Sequence, residues 1–320
     1  MNGSASRRPI LGLHHVTATV ADAQDDLDFA VATLGLRLVK KTVNFDNHNV
    51  YHFYYGNELG SPGTIWTTFP YKGRGVPAGR KGEGQIGITS FSVPAGSLGF
   101  WRKRLGARGI AAGDAPPRFG DEIISFADPS GLSFELIAGN GDSRTPWTGG
   151  GVPVTAAIRG LHGVTMVVGT PERTVELMTG MLGFEIVDET EKRLRLAVNG
   201  NEPGRFIEIV YGTGEGEARN GLGTVHHVAM AIGSGEQQRE LREELLAGGT
   251  RVTDVLDRQY FQSIYFREPG GVLFEVATVE PGFSVDESPG LLGRDLKLPP
   301  WEEPNRTAIE AGLPGVEVPP

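Results

Sequence analysis

Cysteine is absent from the 320-residue chain. This absence excludes disulfides, iron–sulfur clusters, zinc–thiolate sites and thiol nucleophiles. The chain also has no apolar run long enough to cross a bilayer, and its first residues contain no apolar segment of a signal peptide. These absences predict a cytoplasmic protein that does not enter a membrane.

Basic residues are outnumbered by acidic ones. Lys and Arg together number 30 against 39 Asp and Glu, which gives a net charge of −9. Nucleic-acid binding needs a basic patch, and Arg7 with Arg8 does not amount to one, so we expect no nucleic-acid partner. The composition is that of a soluble globular protein, and the 47 glycines indicate many tight turns between short strands.

Two pairs of matching segments indicate an internal duplication. Residues 10–17 (ILGLHHVT) match residues 158–165 (IRGLHGVT), and residues 126–135 (FADPSGLSFE) match residues 266–275 (FREPGGVLFE). The strands upstream of the second pair, 86–93 (IGITSFSV) and 225–232 (VHHVAMAI), are equivalent as well. Each half of the chain therefore holds two related modules. Each module has the pattern of a strand, a helix and further strands.

Composition and periodicity also predict boundaries. We expect an N-terminal module pair at 1–140, a polar Gly- and Pro-rich linker at 141–157, a C-terminal module pair at 158–280 and a tail at 281–320. The tail is expected to pack over the body or over a neighbouring subunit. Helical periodicity and capping residues predict helices at 21–34, at 97–105, from 170 onward, at 236–246 and at 306–312.

The duplication isolates three residues that could bind a metal. The equivalent positions carry His15, His227 and Glu275 in one set and Gly163, Ile88 and Glu135 in the other. Two imidazoles and one carboxylate form the facial triad that holds a divalent metal and leaves coordination positions open. The second set has lost both histidines, so the sequence predicts one metal site.

Simpler interpretations exist for each residue alone. A histidine on a strand is more often a core or surface residue than a ligand. Adjacent residues of a regular strand point to opposite faces, so at most one of His14 and His15 is expected to face one cleft. Glu135 is expected to be a solvated or hydrogen-bonded carboxylate. An architectural role for the histidines would not differ so completely between the halves, which favours the metal.

The chain resembles the vicinal oxygen chelate superfamily and, within it, the hydroquinone-type ring-cleaving dioxygenases. The resemblance covers nearly the whole chain and rests on segments 13–17 (LHHVT), 51–56 (YHFYYG), 225–229 (VHHVA), 266–275, 281–287 (PGFSVDE) and 298–301 (LPPW). It implies an α+β fold in which four βαβββ modules form two barrel-like, mixed-sheet clefts. Modules one and four would share the metal cleft, and modules two and three the empty one.

The same resemblance implies a chemistry. The family's metal ligands fall on His15, His227 and Glu275, and the implied metal is Fe(II), with Mn(II) also suited to the triad. The implied reaction opens a small dihydroxylated aromatic ring with O₂. A homo-oligomer is compatible with these features but is not specified by them.

Two residues outside the triad are specific to the predicted metal cleft. His226 stands where the other set has Gly87, and Tyr265 stands where it has Ser125. We expect both side chains to transfer protons or to donate hydrogen bonds near the substrate hydroxyls and O₂.

Three more polar residues are less specific. His14 has His162 as its counterpart, and Arg258 has Arg118, so a structural role remains open for both. The resemblance still places Arg258 near the substrate, and His14 is retained as a candidate beside the metal. His52 stays unassigned, although it could approach the cleft.

Two other functions use the same scaffold. A lyase or isomerase of the glyoxalase or epimerase kind also chelates two substrate oxygens on a divalent metal. Such sites usually carry a fourth protein ligand, often a second Glu, and the sequence offers no matching carboxylate. A binder of the antibiotic-sequestering kind lacks metal ligands, and the complete triad counts against it.

Overall fold

A computed structural model describes residues 9–319, so Arg7 and Arg8, named above, lie outside the described residues. Within the described range, no helix is long and apolar enough to cross a membrane. The strands form two eight-stranded sheets.

The first sheet takes its strands from the two ends of the chain. They are β1 (Ile10–Val20), β2 (Arg37–Asn44), β3 (Asn47–Gly56), β4 (Ile65–Pro70), β13 (Thr224–Ile232), β14 (Leu256–Asp257), β15 (Phe261–Arg267) and β16 (Leu273–Pro281). Their order is β14-β15-β16-β13-β1-β4-β3-β2. The central pair β1 and β13 is antiparallel, whereas β1 with β4 and β13 with β16 are parallel. Modules one and four therefore share one mixed sheet, as expected.

The second sheet is built from the middle of the chain. Its strands are β5 (Gln85–Pro94), β6 (Gly113–Asp114), β7 (Glu122–Ala127), β8 (Ser133–Gly139), β9 (Gly160–Val168), β10 (Phe184–Thr190), β11 (Arg193–Val198) and β12 (Phe206–Tyr211). Their order is β6-β7-β8-β5-β9-β12-β11-β10, which repeats the first sheet strand for strand. This confirms the predicted fold of two mixed-sheet clefts.

Strand register gives the equivalent residues in the two sheets. Thr17 on β1 lies opposite Thr67 on β4, and its counterpart Thr165 on β9 lies opposite Glu208 on β12. Glu208 is thus the counterpart of Thr67. This pair lies outside the segments whose sequences match, so the duplication alone did not reveal it.

The helices lie close to their predicted positions. They are α1 (Ala23–Leu27), α2 (Leu98–Ala107), α3 (Glu172–Gly180), α4 (Gly235–Ala247) and α5 (Arg306–Gly312), with short 3-10 turns at Phe283–Val285, Pro289–Leu291 and Glu303–Asn305. Two helix starts follow capping rules: the side chains of Asp22 and Ser234 accept backbone N–H bonds at α1 and α4.

The first helix differs from its prediction. The α-helical part ends at Leu27, and Asp28–Thr33 forms a π-helical turn in which Leu34 N–H donates to the Phe29 carbonyl at 2.9 Å. A π turn holds more residues than an α turn, so the helix is wider here. Leu27 and Leu34 are still buried, which explains why apolar spacing alone suggested a continuous helix.

The tail packs over the first sheet. The Phe283 ring lies 5.0 Å from the Tyr54 ring, measured between centroids. The fully buried Lys40 ammonium on β2 donates to the carboxylates of Asp286 and Glu287. A buried ammonium is stable only when paired, so these contacts fix the tail beside the cleft.

Candidate metal centre

Three side chains from the central strands of the first sheet meet at one point. His15 comes from β1, His227 from β13 and Glu275 from β16, and all three are buried. His15 Nε2 lies 3.2 Å from His227 Nε2 and 3.2 Å from Glu275 Oε2. His227 Nε2 lies 2.9 Å from the same carboxylate oxygen. Three potential ligand atoms thus converge from three adjacent strands.

The polar atoms at this point fit a cation. Glu275 Oε2 is fully buried and has no hydrogen-bond partner among the described residues. The Nδ1 atoms of both histidines contact another imidazole, so a proton on each Nδ1 leaves each Nε2 with a bare lone pair. Two imidazole nitrogens and an anionic oxygen then face each other without a proton. A divalent ion would satisfy all three atoms.

Each ligand candidate is held from behind by a further polar group. His14 Nδ1 lies 2.9 Å from His15 Nδ1, and His226 Nδ1 lies 2.8 Å from His227 Nδ1. Such partners set the tautomer and orientation of metal-binding side chains. His14 and His226 therefore lie directly behind the ligand candidates His15 and His227.

Sequence reasoning missed the group behind the carboxylate. The Ser263 hydroxyl donates to Glu275 Oε1, and Ser263 is fully buried. It lies on β15, two residues before Tyr265, so both side chains project from the same face of that strand. The two-residue spacing from Tyr265 could have identified Ser263 from the sequence.

The doubled histidines do not obey the alternation of a regular strand. The β1–β13 ladder shifts register at His14 and again at His226, so each pair includes a β-bulge. A bulge turns neighbouring side chains toward one face, and both His226 and His227 border the same cavity. The expectation that at most one histidine of a pair faces the cleft is wrong for this pair.

Burial controls the protonation of these groups. Burial, followed by the charge of the adjacent histidine, lowers the pKa of His14 and of His226 to about 3. Both are therefore neutral near pH 7 and can accept the Nδ1 protons of their neighbours. Burial alone would raise the pKa of Glu275, but His15 and His227, when they carry a proton on Nε2, hold it well below its usual range; a divalent ion would take the place of those protons. The carboxylate is ionised.

A cavity of about 420 Å³ opens above the three candidate ligands. Aromatic side chains form much of its wall; they are Phe45, Tyr54, Phe69, Tyr71, Phe261 and Tyr265. Arg258 also borders the cavity; its Nε lies 3.2 Å from the Tyr265 hydroxyl, and its Nη2 lies 3.2 Å from Asp46. Arg258 and Tyr265 thus both border the cavity above the candidate ligands.

The equivalent place in the second sheet is filled by ion pairs. Arg118 donates to both Glu135 and Glu208, and Arg193 and Arg195 donate to Glu208 as well. Glu135 is buried and also accepts a bond from Ser90 at 2.9 Å. Of the two roles expected for Glu135, the structure shows the hydrogen-bonded one. Arginines thus occupy the space beside the retained glutamate.

Arg118 and Arg258 are counterparts with different partners. Arg118 is bound to Glu135, the counterpart of Glu275, whereas Arg258 is bound to Tyr265 and Asp46. Only the first sheet therefore leaves its glutamate free for a metal. A shared fold-stabilising role for the two arginines does not fit this difference.

Comparisons with known proteins agree with this geometry. The profile of the Glyoxalase/Bleomycin resistance protein/Dioxygenase superfamily matches residues 160–276. The chain is 42% identical over 308 residues to the Bacillus subtilis (strain 168) protein MhqO, whose name describes a ring-cleaving dioxygenase, covering 96% of this chain and 97% of that protein. It is 38% identical over 298 residues to the chlorohydroquinone/hydroquinone 1,2-dioxygenase of Sphingobium indicum, covering 91% and 92%.

Solved structures show the same fold. A crystal structure of a Bacillus subtilis protein described as a dioxygenase superposes with a TM-score of 0.93 at 41% identity, covering 98% of this chain and 99% of that one. Glyoxalase I of Zea mays, at 15% identity and a TM-score of 0.62, shares the fold over 84% of this chain and 92% of its own. The chain therefore belongs to the Glyoxalase/Bleomycin resistance protein/Dioxygenase superfamily, and within it to the family of its ring-cleaving dioxygenase relatives.

Proposed function

We propose that the protein is an Fe(II)-dependent dioxygenase that opens the ring of a hydroquinone- or catechol-type diol with O₂. The observation that carries the proposal is the convergence of His15, His227 and Glu275 beneath an aromatic-walled cavity. The names of the two relatives, one ring-cleaving and one acting on hydroquinones, support the same reaction class.

His15, His227 and Glu275 would hold the metal. Neutral imidazoles and a carboxylate suit Fe(II), and Mn(II) is the other ion that this set accepts. Such an ion supplies open coordination positions at which a diol oxygen and O₂ can be held side by side. His14, His226 and Ser263 keep the three ligand atoms aimed at one point, so the protein presents the site preformed.

The cavity wall would hold the aromatic ring. Tyr54, Phe69 and Phe261 offer apolar faces of the kind that stack against or edge onto a bound ring. A cavity of about 420 Å³ falls within the range of small-molecule sites. The wall thus favours a planar apolar substrate with a few polar substituents.

Tyr265 and Arg258 supply hydrogen-bond donors. Burial, followed by the negative charge of Glu275, raises the pKa of Tyr265, so its hydroxyl keeps its proton near pH 7. The ring of Tyr265 lies 5.7 Å from that of His227, between centroids, and both side chains border the cavity. A protonated phenol beside a guanidinium can stabilise negative charge that develops on a substrate oxygen or on O₂.

His226 is suited to a different task. It borders the cavity and is neutral near pH 7, because burial keeps its pKa near 3. Because its Nδ1 accepts the proton of His227 Nδ1, its Nε2 carries the ring proton and can donate a hydrogen bond to a substrate oxygen. His226 would thus hold that oxygen beside the ligand set.

The lyase or isomerase alternative lacks a required group. It calls for a second carboxylate near the metal, acting as ligand or base. Among the described residues that line the cavity, the carboxylates are Glu275 and Asp46, and Asp46 is largely exposed and bound to Arg258. Thr67 occupies the place where the second sheet has Glu208. No observation favours this alternative.

An oxygen electrode tests the proposed function. Anaerobically purified protein, loaded with Fe(II), is mixed with hydroquinone, methylated or chlorinated hydroquinones, or catechol. We expect O₂ uptake and a ring-opened acid with at least one diol. Absence of uptake with all of them, together with activity on a hemithioacetal, would replace the dioxygenase by the lyase.

Changing Tyr265 to Phe is expected to lower turnover about 10- to 100-fold, the cost of losing one hydrogen bond to a charged group. Metal content should not change, because Tyr265 is not one of the three ligand candidates and its hydroxyl accepts a hydrogen bond from Arg258. Steady-state O₂ uptake and metal analysis of the same sample measure both quantities. Tyr211→Phe is the matched control, since its hydroxyl is exposed and bonds only the Glu191 carbonyl. Wild-type kinetics for Tyr265→Phe would remove Tyr265 from the reaction.

A further inference from the structure

His52 is a cavity residue without a role in the proposed reaction. It lies on β3 and borders the cavity beside Tyr54 and Phe69. Its ring lies between theirs, 4.0 Å from the Tyr54 ring and 4.3 Å from the Phe69 ring, measured between centroids. Two aromatic contacts on one imidazole fix its position in the wall.

A chain of hydrogen bonds fixes the orientation of this ring. His52 Nε2 lies 2.9 Å from the Thr67 hydroxyl, which in turn lies 2.8 Å from the Thr17 hydroxyl and donates to it. With its own proton given to Thr17, Thr67 accepts the Nε2 proton of His52. Nδ1 then carries a lone pair, and in the described part of the chain it has no hydrogen-bond partner.

His52 is uncharged in this setting. Burial, followed by the charges of His15 and His227, holds the pKa of His52 well below its ordinary value. His52 borders the same cavity as His15, His227 and Glu275. A neutral imidazole whose Nδ1 carries no proton can accept one hydrogen bond at that atom.

The second sheet contains an equivalent set of hydrogen bonds that serves only to link its strands. His52 lies opposite Thr42 in the β2–β3 pair, and the same register in the β10–β11 pair places Arg193 opposite Thr190. Arg193 is thus the counterpart of His52.

In the cleft of the second sheet, which ion pairs fill, the counterparts of His52, Thr67 and Thr17 are Arg193, Glu208 and Thr165. Arg193 donates hydrogen bonds to both Glu208 and Thr165. In the cleft of the first sheet, the uncharged ring of His52 instead keeps one acceptor, Nδ1, unpaired among the described residues. That acceptor is not needed to link the three strands, because the second sheet links its equivalent strands without one.

The strand order places His52 across the cavity from Tyr265. β15, which carries Tyr265, and β3, which carries His52, lie on opposite sides of the strands β16, β13 and β1 that carry the three candidate ligands. An aromatic ring with one oxygen at the ligand set would extend between these two walls. A second hydroxyl on the far side of that ring needs an acceptor.

We propose that His52 Nδ1 accepts a hydrogen bond from the substrate hydroxyl that does not bind the metal, and so selects para-diols. This specificity role rests on the proposed dioxygenase function. In an ortho-diol both oxygens lie on the metal side of the ring, and the acceptor on His52 has no donor. His52 is thus a determinant of substrate choice, and the metal site is complete without it.

Anaerobic calorimetry with phenol and hydroquinone tests this role, because phenol lacks only the far hydroxyl. The protein is loaded with Fe(II) and kept free of O₂, so binding is measured without turnover. Wild-type protein should bind hydroquinone about tenfold more tightly than phenol, as one buried hydrogen bond allows. His52→Phe keeps an aromatic ring between Tyr54 and Phe69, and it should bring the ratio close to one with phenol affinity unchanged.

Two further variants make the result specific. His52→Gln restores a side-chain acceptor and should recover part of the preference for hydroquinone. Thr67→Val removes the group that fixes the ring and should reduce the preference, whereas Thr67→Ser should keep it. Thermal melting and metal content of each variant show whether the fold and the metal centre are intact.

The outcomes separate the two proposals. An unchanged hydroquinone-to-phenol ratio in folded His52→Phe, or an equal loss of both affinities, would overturn the role of His52 and leave the dioxygenase standing. Failure of wild-type protein to bind or oxidise any diol would overturn both. Retention of phenol binding with loss of the hydroquinone preference supports the assignment.

Discussion

Glu275→Gln is expected to abolish metal binding and diol turnover while the chain stays folded. The amide carries no negative charge, and the site would offer a divalent ion only two neutral imidazoles and a weak donor. Loss of a group behind a ligand lowers metal affinity by about 10- to 100-fold, so loss of the ligand itself should exceed roughly 100-fold. Metal analysis and O₂ uptake measure the effect.

The folded state should tolerate this substitution. The Gln oxygen can still accept the Ser263 bond, and the amide N–H groups can donate to the bare nitrogens of His15 and His227. Glu135→Gln is the matched control, because Glu135 holds the equivalent place in the second sheet. Its metal content and turnover should equal those of the wild type. Turnover at the wild-type level by Glu275→Gln would refute the ligand assignment.

Glu208→Gln is expected to destabilise the protein by about 3–5 kcal/mol, as removal of one partner from a buried ion pair does. Glu208 is buried and joins Arg118, Arg193 and Arg195, with Arg118 Nε at 2.9 Å and Arg195 Nη2 at 2.6 Å. The variant leaves one positive charge of this network uncompensated. Chemical denaturation measures the loss, and turnover well below the unfolding transition should be unchanged.

The pH dependence of this effect has a definite sign. Burial alone would raise the pKa of Glu208, but Arg118 and Arg195 lower it below its ordinary value of 4.5. A carboxylate whose pKa falls on folding stabilises the folded state above its unfolded pKa and loses that contribution as the pH falls through its folded value.

The stability gap between wild type and Glu208→Gln should therefore be full near neutral pH and should narrow below about pH 4.5. A gap that is constant with pH, or absent at pH 7, would mean that this network does not stabilise the second sheet. Glu208→Gln should thus lower stability without changing turnover, whereas Glu275→Gln should abolish turnover without unfolding the chain.

The sequence predicted the fold through its family resemblance, and it predicted the central cluster through the duplication. Aligning residues 10–17 with 158–165 and 126–135 with 266–275, together with the upstream strands 86–93 and 225–232, located the strands that carry the ligand candidates. A carboxylate retained in both halves and histidines retained in one pointed to a single cleft. The structure brings those three side chains together.

The remaining features depend on contacts that periodicity does not encode. The bulges at His14 and His226 arise from the pairing of β1 with β13, and the ideal alternation of a strand conceals them. Glu208 and Arg193 lie in strands whose sequences do not match those of β4 and β3, so the ion network that fills the second cleft could not be read from the repeats. The π-helical turn at Asp28–Thr33 keeps the same apolar residues buried as an α-helix would.

Metal content per chain tests the central claim most directly. Protein purified without O₂, supplied with Fe(II) and freed of excess ion should contain about one ion per chain, both in the wild type and in Glu135→Gln, and almost none in Glu275→Gln. Two ions per chain, or a single ion that survives Glu275→Gln, would contradict a metal centre confined to the first sheet.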